Sequence, residues 1–210
     1  SRTTQSRLRN NNGFSSEFLM PPLSSSADFQ CEGYGDYIFA GGRVSLGNRQ
    51  HVLVEAMISA PKECKLIVSG PVDTPSDGMR LENLIREHRL HDRVTLDLGF
   101  ISPRRLASYV NGALACAYLP IDEDWVGHVT MEAFYASKAV ITCVDSGGVL
   151  DLVVDGQTGI VAESNVHSIS MALARMASDR STAKSMGDNA SEAIKAISPN
   201  WNRTIDRLLA

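Results

Sequence analysis

The chain has 210 residues, of which 43% are apolar and 21% are charged, and its formal net charge is −4. A chain of this length can bury one substantial core, and its acidity argues against a nucleic-acid surface, which requires clustered Lys and Arg. No apolar run approaches the roughly 20 residues that cross a bilayer.

Residues 1–36 differ in composition from the rest of the chain. A basic amphipathic helix is predicted over Arg2–Asn11, and a short strand over Glu17–Met20. A proline pair follows, and a polar stretch then runs to Gly35. No further regular element is predicted in this part of the chain.

From Tyr37 onward, short apolar runs alternate with segments of helical periodicity. The runs predicted as strands are bounded by Gly, Pro or Asp: Tyr37–Ala40, Lys65–Ser69, Val94–Leu98, Ala113–Leu119, Ala139–Cys143 and Gly159–Ala162. The segments predicted as helices are Gln50–Ala60, Met79–Arg89, Arg104–Asn111, Val129–Ser137, Val149–Val154, Ser168–Ala177, Thr182–Ala196 and Trp201–Leu209. This alternation predicts a Rossmann-like α/β fold, in which a parallel sheet of about six strands carries helices on both faces.

The stretch from Ile121 to Ala133 places acidic side chains beside the start of a helix. Asp124 and Glu132 are eight residues apart, so a loop that turns back over the helix start could bring both carboxylates to one cleft. The free amides of the first helical turn would lie between them, where a phosphate is favoured. These are the amides of Gly127, His128, Val129 and Thr130. Carboxylates that bind hydroxyls beside amides that bind phosphate suggest a nucleotide-sugar site.

This stretch resembles the paired-acid motif of the retaining glycosyltransferases of family 4 (group 1), which have the two-domain GT-B fold. In that family the first acid contacts the transferred sugar, and the second binds the ribose of the nucleotide. Strict spacing gives Asp124 and Glu132 these roles. A one-residue insertion would instead leave Glu123 as the first acid, and both alternatives stay open.

The resemblance covers nearly the whole chain. It includes Asp92–Val94 followed by Leu98–Phe100, the turn Asp155–Gly159, and a last helix that opens with Trp201. It implies that residues 37–210 form the donor-binding domain with a C-terminal helix. Residues 1–36 would then be a remnant of the acceptor-binding N-terminal domain and the interdomain linker. The alternative is a genuine N-terminal arm.

The loop after the first strand resembles the Arg-x4-Lys element whose cations hold the donor diphosphate in that family. Gly42 and Arg43 open this loop, and an arginine binds phosphate bidentately without deprotonating. Asn48 stands where the family has lysine, so one positive charge is missing. Arg49, one position later, either replaces that charge or only extends a basic surface.

Two further segments match the donor-binding positions of the family. Ser146, Gly147 and Gly148 follow the fifth strand, where glycines allow a close approach of the backbone to a ligand. Phe100 and Ile101 follow the third strand, where the family forms its base pocket. As alternatives, Phe100 could equally be a core aromatic, and the Gly-Gly pair could be an ordinary turn.

No metal site or cofactor is expected, because the histidines lack ligand spacing and the family is largely metal-independent. The four cysteines, Cys31, Cys64, Cys116 and Cys143, lie far apart. They are predicted to be reduced, which indicates a cytoplasmic protein. Association with a membrane surface is possible through the missing domain.

The resemblance implies a glycosyltransferase fragment that binds a nucleoside diphosphate sugar for retaining transfer to an unknown acceptor. Without its acceptor domain, the isolated chain is expected to be inactive. The alternatives are a nucleotide-sugar-binding module without transfer activity, or another GT-B enzyme such as an epimerase or a phosphorylase. Asn48 motivates the first alternative, and the acidic stretch argues against the second.

Overall fold

A computed structural model of the protein describes residues 1–197 and 200–209. Six strands form its centre: β1 (Tyr37–Gly41), β2 (Lys65–Gly70), β3 (Val94–Leu98), β4 (Ala115–Ala117), β5 (Val140–Cys143) and β6 (Gly159–Ala162). They lie in the order β3-β2-β1-β4-β5-β6, and every neighbouring pair is parallel. The predicted Rossmann-like sheet is therefore confirmed.

Eight α-helices occur within the described residues: α1 (Arg2–Asn12), α2 (Gln50–Ala56), α3 (Pro75–Glu87), α4 (Pro103–Gly112), α5 (His128–Tyr135), α6 (Val166–Ser178), α7 (Arg180–Ile197) and α8 (Trp201–Leu209). Local sequence explains several helix starts. Thr74 and Asp77 form a reciprocal capping box at α3, and Ser102 accepts from the Arg105 amide before Pro103 opens α4. Asn165 caps α6 in the same way as Ser102 caps α4.

The sheet is buried on both faces because its strands carry apolar residues at successive positions. In β1, Ile38 and Ala40 face one core while Phe39 faces the other. Helices α2, α3 and α6 cover the first face, and α4 and α5 cover the second. Near-continuous apolar strands of this kind are typical of parallel sheets with helices on both sides.

The strand order reverses between β1 and β4, and this reversal determines where a ligand can bind. In open parallel sheets, ligands lie in the crevice at the carboxyl ends of the strands where the order reverses. The loop over residues 42–49 leaves β1 at this point, and the loop over residues 118–127 leaves β4. The acidic stretch and the predicted phosphate loop therefore meet at the crevice.

Several predicted elements differ from the structure. The helix predicted over Gln50–Ala60 ends at Ala56, and the helix predicted over Met79–Arg89 begins earlier, at Pro75, where the Thr74 capping box starts it. Residues 17–20 are not a strand. The fourth strand is shorter than predicted because the Leu119 carbonyl, beyond Ala117, accepts from Arg49 Nε. A 3-10 helix over Gly147–Asp151 replaces the predicted helix Val149–Val154, since the turn begins earlier where the Gly148 amide donates to the Glu123 carbonyl.

Residues 14–36 contain one short 3-10 helix, Ser26–Asp28, and otherwise irregular backbone. Met20, Leu23 and Phe29 pack into the core beneath α4 and α5. The proposed boundary between residues 36 and 37 stays a prediction, and residues 198, 199 and 210 of the predicted second domain lie outside the described part. None of the described helices combines the length and apolar character that crossing a membrane requires.

Candidate functional site

Three loops at the crevice are joined by backbone hydrogen bonds. The Ile121 amide donates to the Gly47 carbonyl at 2.8 Å, which connects the loop after β4 to the loop after β1. The Asp122 amide donates to the Asp145 carbonyl at 2.8 Å, and the Gly148 amide donates to the Glu123 carbonyl at 2.7 Å. The acidic loop is therefore held on both sides by the neighbouring loops.

The start of α5 presents amides toward the crevice without a side-chain cap. Gly127 occupies the capping position with φ +78°, and a Cβ there would lie 2.4 Å from Tyr118 Cε1. Only glycine fits this position, and glycine has no side chain with which to cap the following amides. Gly42 lies close by, because a Cβ on it would meet Val129 Cγ2 at 3.4 Å. The predicted phosphate-binding amides are thus next to the loop after β1.

Glu132 lies one turn further along α5 and has an unusual environment. The residue is only 8% exposed. Within the described residues, no hydrogen bond or ion pair to its carboxylate occurs. Burial alone raises its pKa from 4.5 to about 7. A buried, unpartnered carboxyl group beside a crevice is typical of a functional site.

The two candidates for the first acid have different partners. Tyr118 donates its hydroxyl to Glu123 Oε2 at 3.0 Å, and burial raises the pKa of that phenol. Asp124 instead forms an ion pair with Arg7 of α1, as does Asp122 at 2.5 Å. Glu123 is partly buried, whereas Asp122 and Asp124 are exposed. The structure therefore separates these three acids into two groups.

Arg49 is buried, and its guanidinium is already occupied. Nε donates to the Leu119 carbonyl and Nη2 to the Pro120 carbonyl, each at 2.7 Å. Two further donations reach the carboxylate of Asp145 at 3.0 and 2.7 Å. Four of the five N–H groups of the guanidinium are thus used. Burial and these bonds favour a structural role for Arg49 over both alternatives left open by the sequence, replacement of the missing lysine and extension of a basic surface.

Arg43 and Asn48 lie at the surface of the loop after β1. The Arg43 side chain is 67% exposed and pairs with Asp73 at 3.0 Å. Asn48 Nδ2 donates to the Arg43 carbonyl at 2.7 Å, and Gln50 Nε2 donates to the same carbonyl at 2.9 Å. Arg43 can therefore exchange a screened surface pair for a phosphate, while Asn48 helps to fix the loop.

The remaining predicted residues lie around the same edge of the sheet. Ser146 is buried, and its hydroxyl accepts from the Cys143 amide. Gly147 has φ +62°, and a Cβ on it would lie 2.4 Å from the Glu123 carbonyl oxygen. Phe100 is 95% exposed at the end of β3, so it is not a core aromatic, and Ile101 is half-buried.

Three residues near the site, Arg7, Tyr118 and Trp125, were not identified from the sequence, whereas His128 and Thr130 were predicted to bind the donor through their amides. Tyr118 and Arg7 bond to the acidic loop. The Trp125 indole N–H and the Thr130 hydroxyl are buried and have no partner among the described residues. His128 is exposed, with its ring 5.9 Å from that of Trp125. No local pattern identified Arg7, because more than 100 positions separate it from its partners.

No group of three or more His, Cys, Asp or Glu in the described part of the chain is arranged to hold a metal ion. Cys64, Cys116 and Cys143 are buried free thiols, whereas Cys31 is exposed. The expectation of a reaction that needs no metal stays a prediction.

Comparison with known proteins gives one family. A profile of the family described as glycosyl transferases group 1 matches residues 32–193. The alpha-1,3/1,6-mannosyltransferase ALG2 of Dictyostelium discoideum is 28% identical over 134 residues, which make up 61% of this chain and 31% of that protein. The chain thus spans under a third of that relative's length.

Solved structures agree with this match. Sucrose-phosphate synthase from Thermosynechococcus elongatus aligns with a TM-score of 0.83 and 25% identity, over 99% of this chain and 55% of that one. HepE from Anabaena, solved with UDP and glucose, aligns with a TM-score of 0.73 and 19% identity, over 100% of this chain and 52% of that one. The C-terminal domain of the group 1 protein LpcC from Francisella tularensis aligns with a TM-score of 0.72 and 18% identity, over 83% of this chain and 97% of that domain. The latter two similarities show the fold alone.

The family profile covers well over half of the chain, and the aligned structures have the same parallel sheet with helices on both faces. The chain therefore belongs to the group 1 glycosyl transferases, and its Rossmann-like sheet corresponds to one half of their GT-B fold.

Proposed function

We propose that this chain binds the nucleoside diphosphate sugar of a retaining glycosyltransferase. The observation that carries the proposal is the buried, unpartnered carboxylate of Glu132, one turn after the uncapped start of α5. A ribose offers two adjacent hydroxyl donors to such a carboxylate. The amides of residues 127–130 then lie where a diphosphate attached to that ribose would need donors.

Arg43 supplies the mobile positive charge for the diphosphate in this proposal. Its present partner, Asp73, is an exposed carboxylate, and an exposed ion pair contributes roughly 0–1 kcal/mol. The diphosphate can therefore displace it at little cost. As the sugar–phosphate bond breaks, the leaving diphosphate gains charge, which the amides and Arg43 stabilise. Attack by the acceptor on the same face then retains the anomeric configuration.

Glu123 is the better candidate for the acid that contacts the sugar. Tyr118 and the Gly148 amide hold its side chain and its carbonyl beside the crevice. Asp124, which the strict spacing favours, is instead paired with Arg7. These contacts favour the interpretation with a one-residue insertion, in which Glu123 and Glu132 form the acid pair.

The donor is expected to carry uridine or guanosine. HepE was solved with UDP and glucose, and ALG2 is described as a mannosyltransferase. Fold similarity does not choose between the bases, so both must be tested. The acceptor domain is expected in a longer form of the protein, and the chain alone is expected to transfer no sugar.

A binding module without transfer activity is the second candidate. Asn48 favours this candidate, because it stands where the family's Arg-x4-Lys element has a positively charged lysine. Arg49 does not replace that charge, since its guanidinium is bonded to Asp145. A diphosphate leaving group would then have less stabilisation than in other members of the family. An assay of donor hydrolysis by a longer form of the protein would distinguish the two candidates, because only an enzyme would hydrolyse the donor.

Calorimetric titration with UDP and GDP tests the proposal on this chain. We expect a dissociation constant of roughly 10 μM to 1 mM for one of them. Glu132→Gln should weaken binding about tenfold, because a charge-assisted hydrogen bond contributes about 1.5–3 kcal/mol. The control is Glu82→Gln, the same change at an exposed position on α3. Equal nucleotide affinities for wild type and Glu132→Gln would show that Glu132 does not bind the ribose.

A further inference from the structure

Arg7 connects α1 to two carboxylates of the acidic loop. Its Nη2 lies 2.5 Å from Asp122 Oδ2, and its Nη1 pairs with Asp124 Oδ1. The guanidinium thus bridges residues 122 and 124, while the intervening Glu123 bonds to Tyr118 on its own side. One arginine therefore fixes both neighbours of the carboxylate that the proposed function places on the sugar.

Three further contacts join α1 to the same edge of the sheet. The hydroxyls of Ser1 and Thr4 both donate to the Asp124 carbonyl. The Arg2 amide donates to Asp151 Oδ2 at 2.6 Å, in the 3-10 helix that follows β5. These bonds converge on the acidic loop and on the segment whose Gly148 amide holds the Glu123 carbonyl.

The contact surface of α1 is polar rather than apolar. No residue of α1 is buried, so the helix contributes no side chain to either core. Its attachment therefore depends on ion pairs and hydrogen bonds, which can break without exposing apolar surface. The side chains of the ion pairs are 38–66% exposed, so added salt should weaken them. A contact of this kind can open and close while the domain stays folded.

We propose that Arg7, Asp122 and Asp124 form a clamp through which α1 fixes the Glu123 carboxylate for the donor sugar. Arg7 is then a positioning residue that does not itself touch the donor. The inference rests on the proposed function for the identity of the ligand. The coupling between α1 and the loop over residues 118–127 can be measured without any ligand.

The clamp predicts different effects on nucleotide and on nucleotide sugar. Arg7→Ala should leave the affinity for UDP or GDP unchanged, because ribose and diphosphate are bound from α5 and the loop after β1. It should lower the affinity for the matching UDP-glucose or GDP-mannose about three- to tenfold, since only the sugar contacts Glu123. A defect in folding would weaken both ligands alike.

Arg9→Ala is the matched control, because Arg9 is an exposed arginine on the same helix without an ion pair among the described residues. It should have no effect on either ligand. Asp122→Asn combined with Asp124→Asn should reproduce Arg7→Ala, and Arg7→Ala should add nothing to that double variant. Additive effects would contradict a shared clamp.

Hydrogen exchange on the ligand-free chain tests the clamp independently of the donor. Arg7→Ala should accelerate exchange in α1 and in residues 118–127, with no change in β5. Unchanged exchange in residues 118–127, or an equal loss of affinity for nucleotide and nucleotide sugar, would overturn the clamp. If wild type binds neither nucleotide, the proposed function fails, and the exchange result alone then decides whether α1 fixes the loop.

Discussion

Arg49 Nη1 and Nη2 donate to the two carboxylate oxygens of Asp145 at 3.0 and 2.7 Å, although the residues lie 96 positions apart. The same guanidinium donates to the carbonyls that follow β4. Arg49 therefore joins the loops after β1, β4 and β5. The Arg49 guanidinium also holds the pKa of Asp145 below its usual value, so that the carboxylate stays ionised.

Arg49→Lys should destabilise the chain, because an ammonium group cannot make the bidentate contact and reach both carbonyls. Breaking a fully buried pair costs roughly 3–5 kcal/mol. Asp145 is partly exposed, so we expect the free energy of unfolding to fall by about 2 kcal/mol. Urea denaturation measures this change. Arg43→Lys, at an exposed pair, should change the free energy of unfolding by less than about 1 kcal/mol. Equal effects at both positions would contradict the buried role of Arg49.

Asn48→Lys should restore a charge at the predicted diphosphate site. The Gln50 side chain still holds the Arg43 carbonyl, so the loop should keep its shape. We expect diphosphate binding to strengthen by about 0.5–1.5 kcal/mol at low salt and the gain to fade at high salt. Nucleoside without phosphate is the control and should show no gain.

Asn48→Lys should not restore diphosphate binding in the Arg49→Ala background, because Arg49 contacts Asp145 rather than the diphosphate. Restored diphosphate binding in the combined variant would indicate that Arg49 contacts the phosphates.

Gly147→Ala should disturb the acidic loop through a direct clash. The added Cβ would lie 2.4 Å from the Glu123 carbonyl oxygen, at a residue with φ +62°. Gly156→Ala is the matched control, since its φ is +72° and nothing lies within 4 Å of the added Cβ. In both variants the free energy of unfolding should fall by about 1 kcal/mol, because alanine is unfavourable in the left-handed backbone conformation. Only Gly147→Ala should also weaken binding of nucleotide sugar. Similar binding by the two variants would show that Gly147 does not position Glu123.

The sheet could be predicted from the sequence because each strand is a short apolar run bounded by Gly, Pro or Asp. The predicted strands Tyr37–Ala40 and Val94–Leu98 match the observed ones within one residue. The fourth strand was predicted too long, since its apolar run continues into a loop whose carbonyls bond to Arg49. Apolar pattern alone cannot locate such an end.

The site was predicted less completely, because its contacts connect distant parts of the chain. The resemblance identified Glu132 from the spacing of the motif, and the structure adds its burial and its raised pKa. Spacing could not decide between Glu123 and Asp124. Their different partners, Tyr118 and Arg7, appear only after folding.

The stability of the chain should depend on pH through Glu132. Its pKa is about 7 in the folded state against an ordinary value of 4.5. Between these values the folded state binds more protons than the unfolded state, so the free energy of unfolding should fall as the pH rises. The loss amounts to about 3 kcal/mol and is nearly complete about one pH unit above the folded-state pKa.

Glu132→Gln should remove this dependence, since an amide does not ionise. The variant should be as stable as wild type near pH 4.5 and more stable at pH 8. Urea denaturation across this range measures the difference, with Glu82→Gln as the exposed control. Parallel pH profiles for wild type and Glu132→Gln would show that Glu132 does not ionise at unusual pH.

Proton release on nucleotide binding tests most directly whether Glu132 binds the ribose. Free Glu132 is about half protonated at pH 7, and ribose hydroxyls should bind its ionised form. Titration of UDP and GDP in buffers of different ionisation enthalpy should therefore detect about half a proton released at pH 7, beyond the release measured with Glu132→Gln. Nucleotide affinity should also rise about tenfold between pH 6 and 8 in wild type relative to that variant. Nucleotide binding with the same proton release in wild type and Glu132→Gln would contradict the assignment of Glu132 to the ribose.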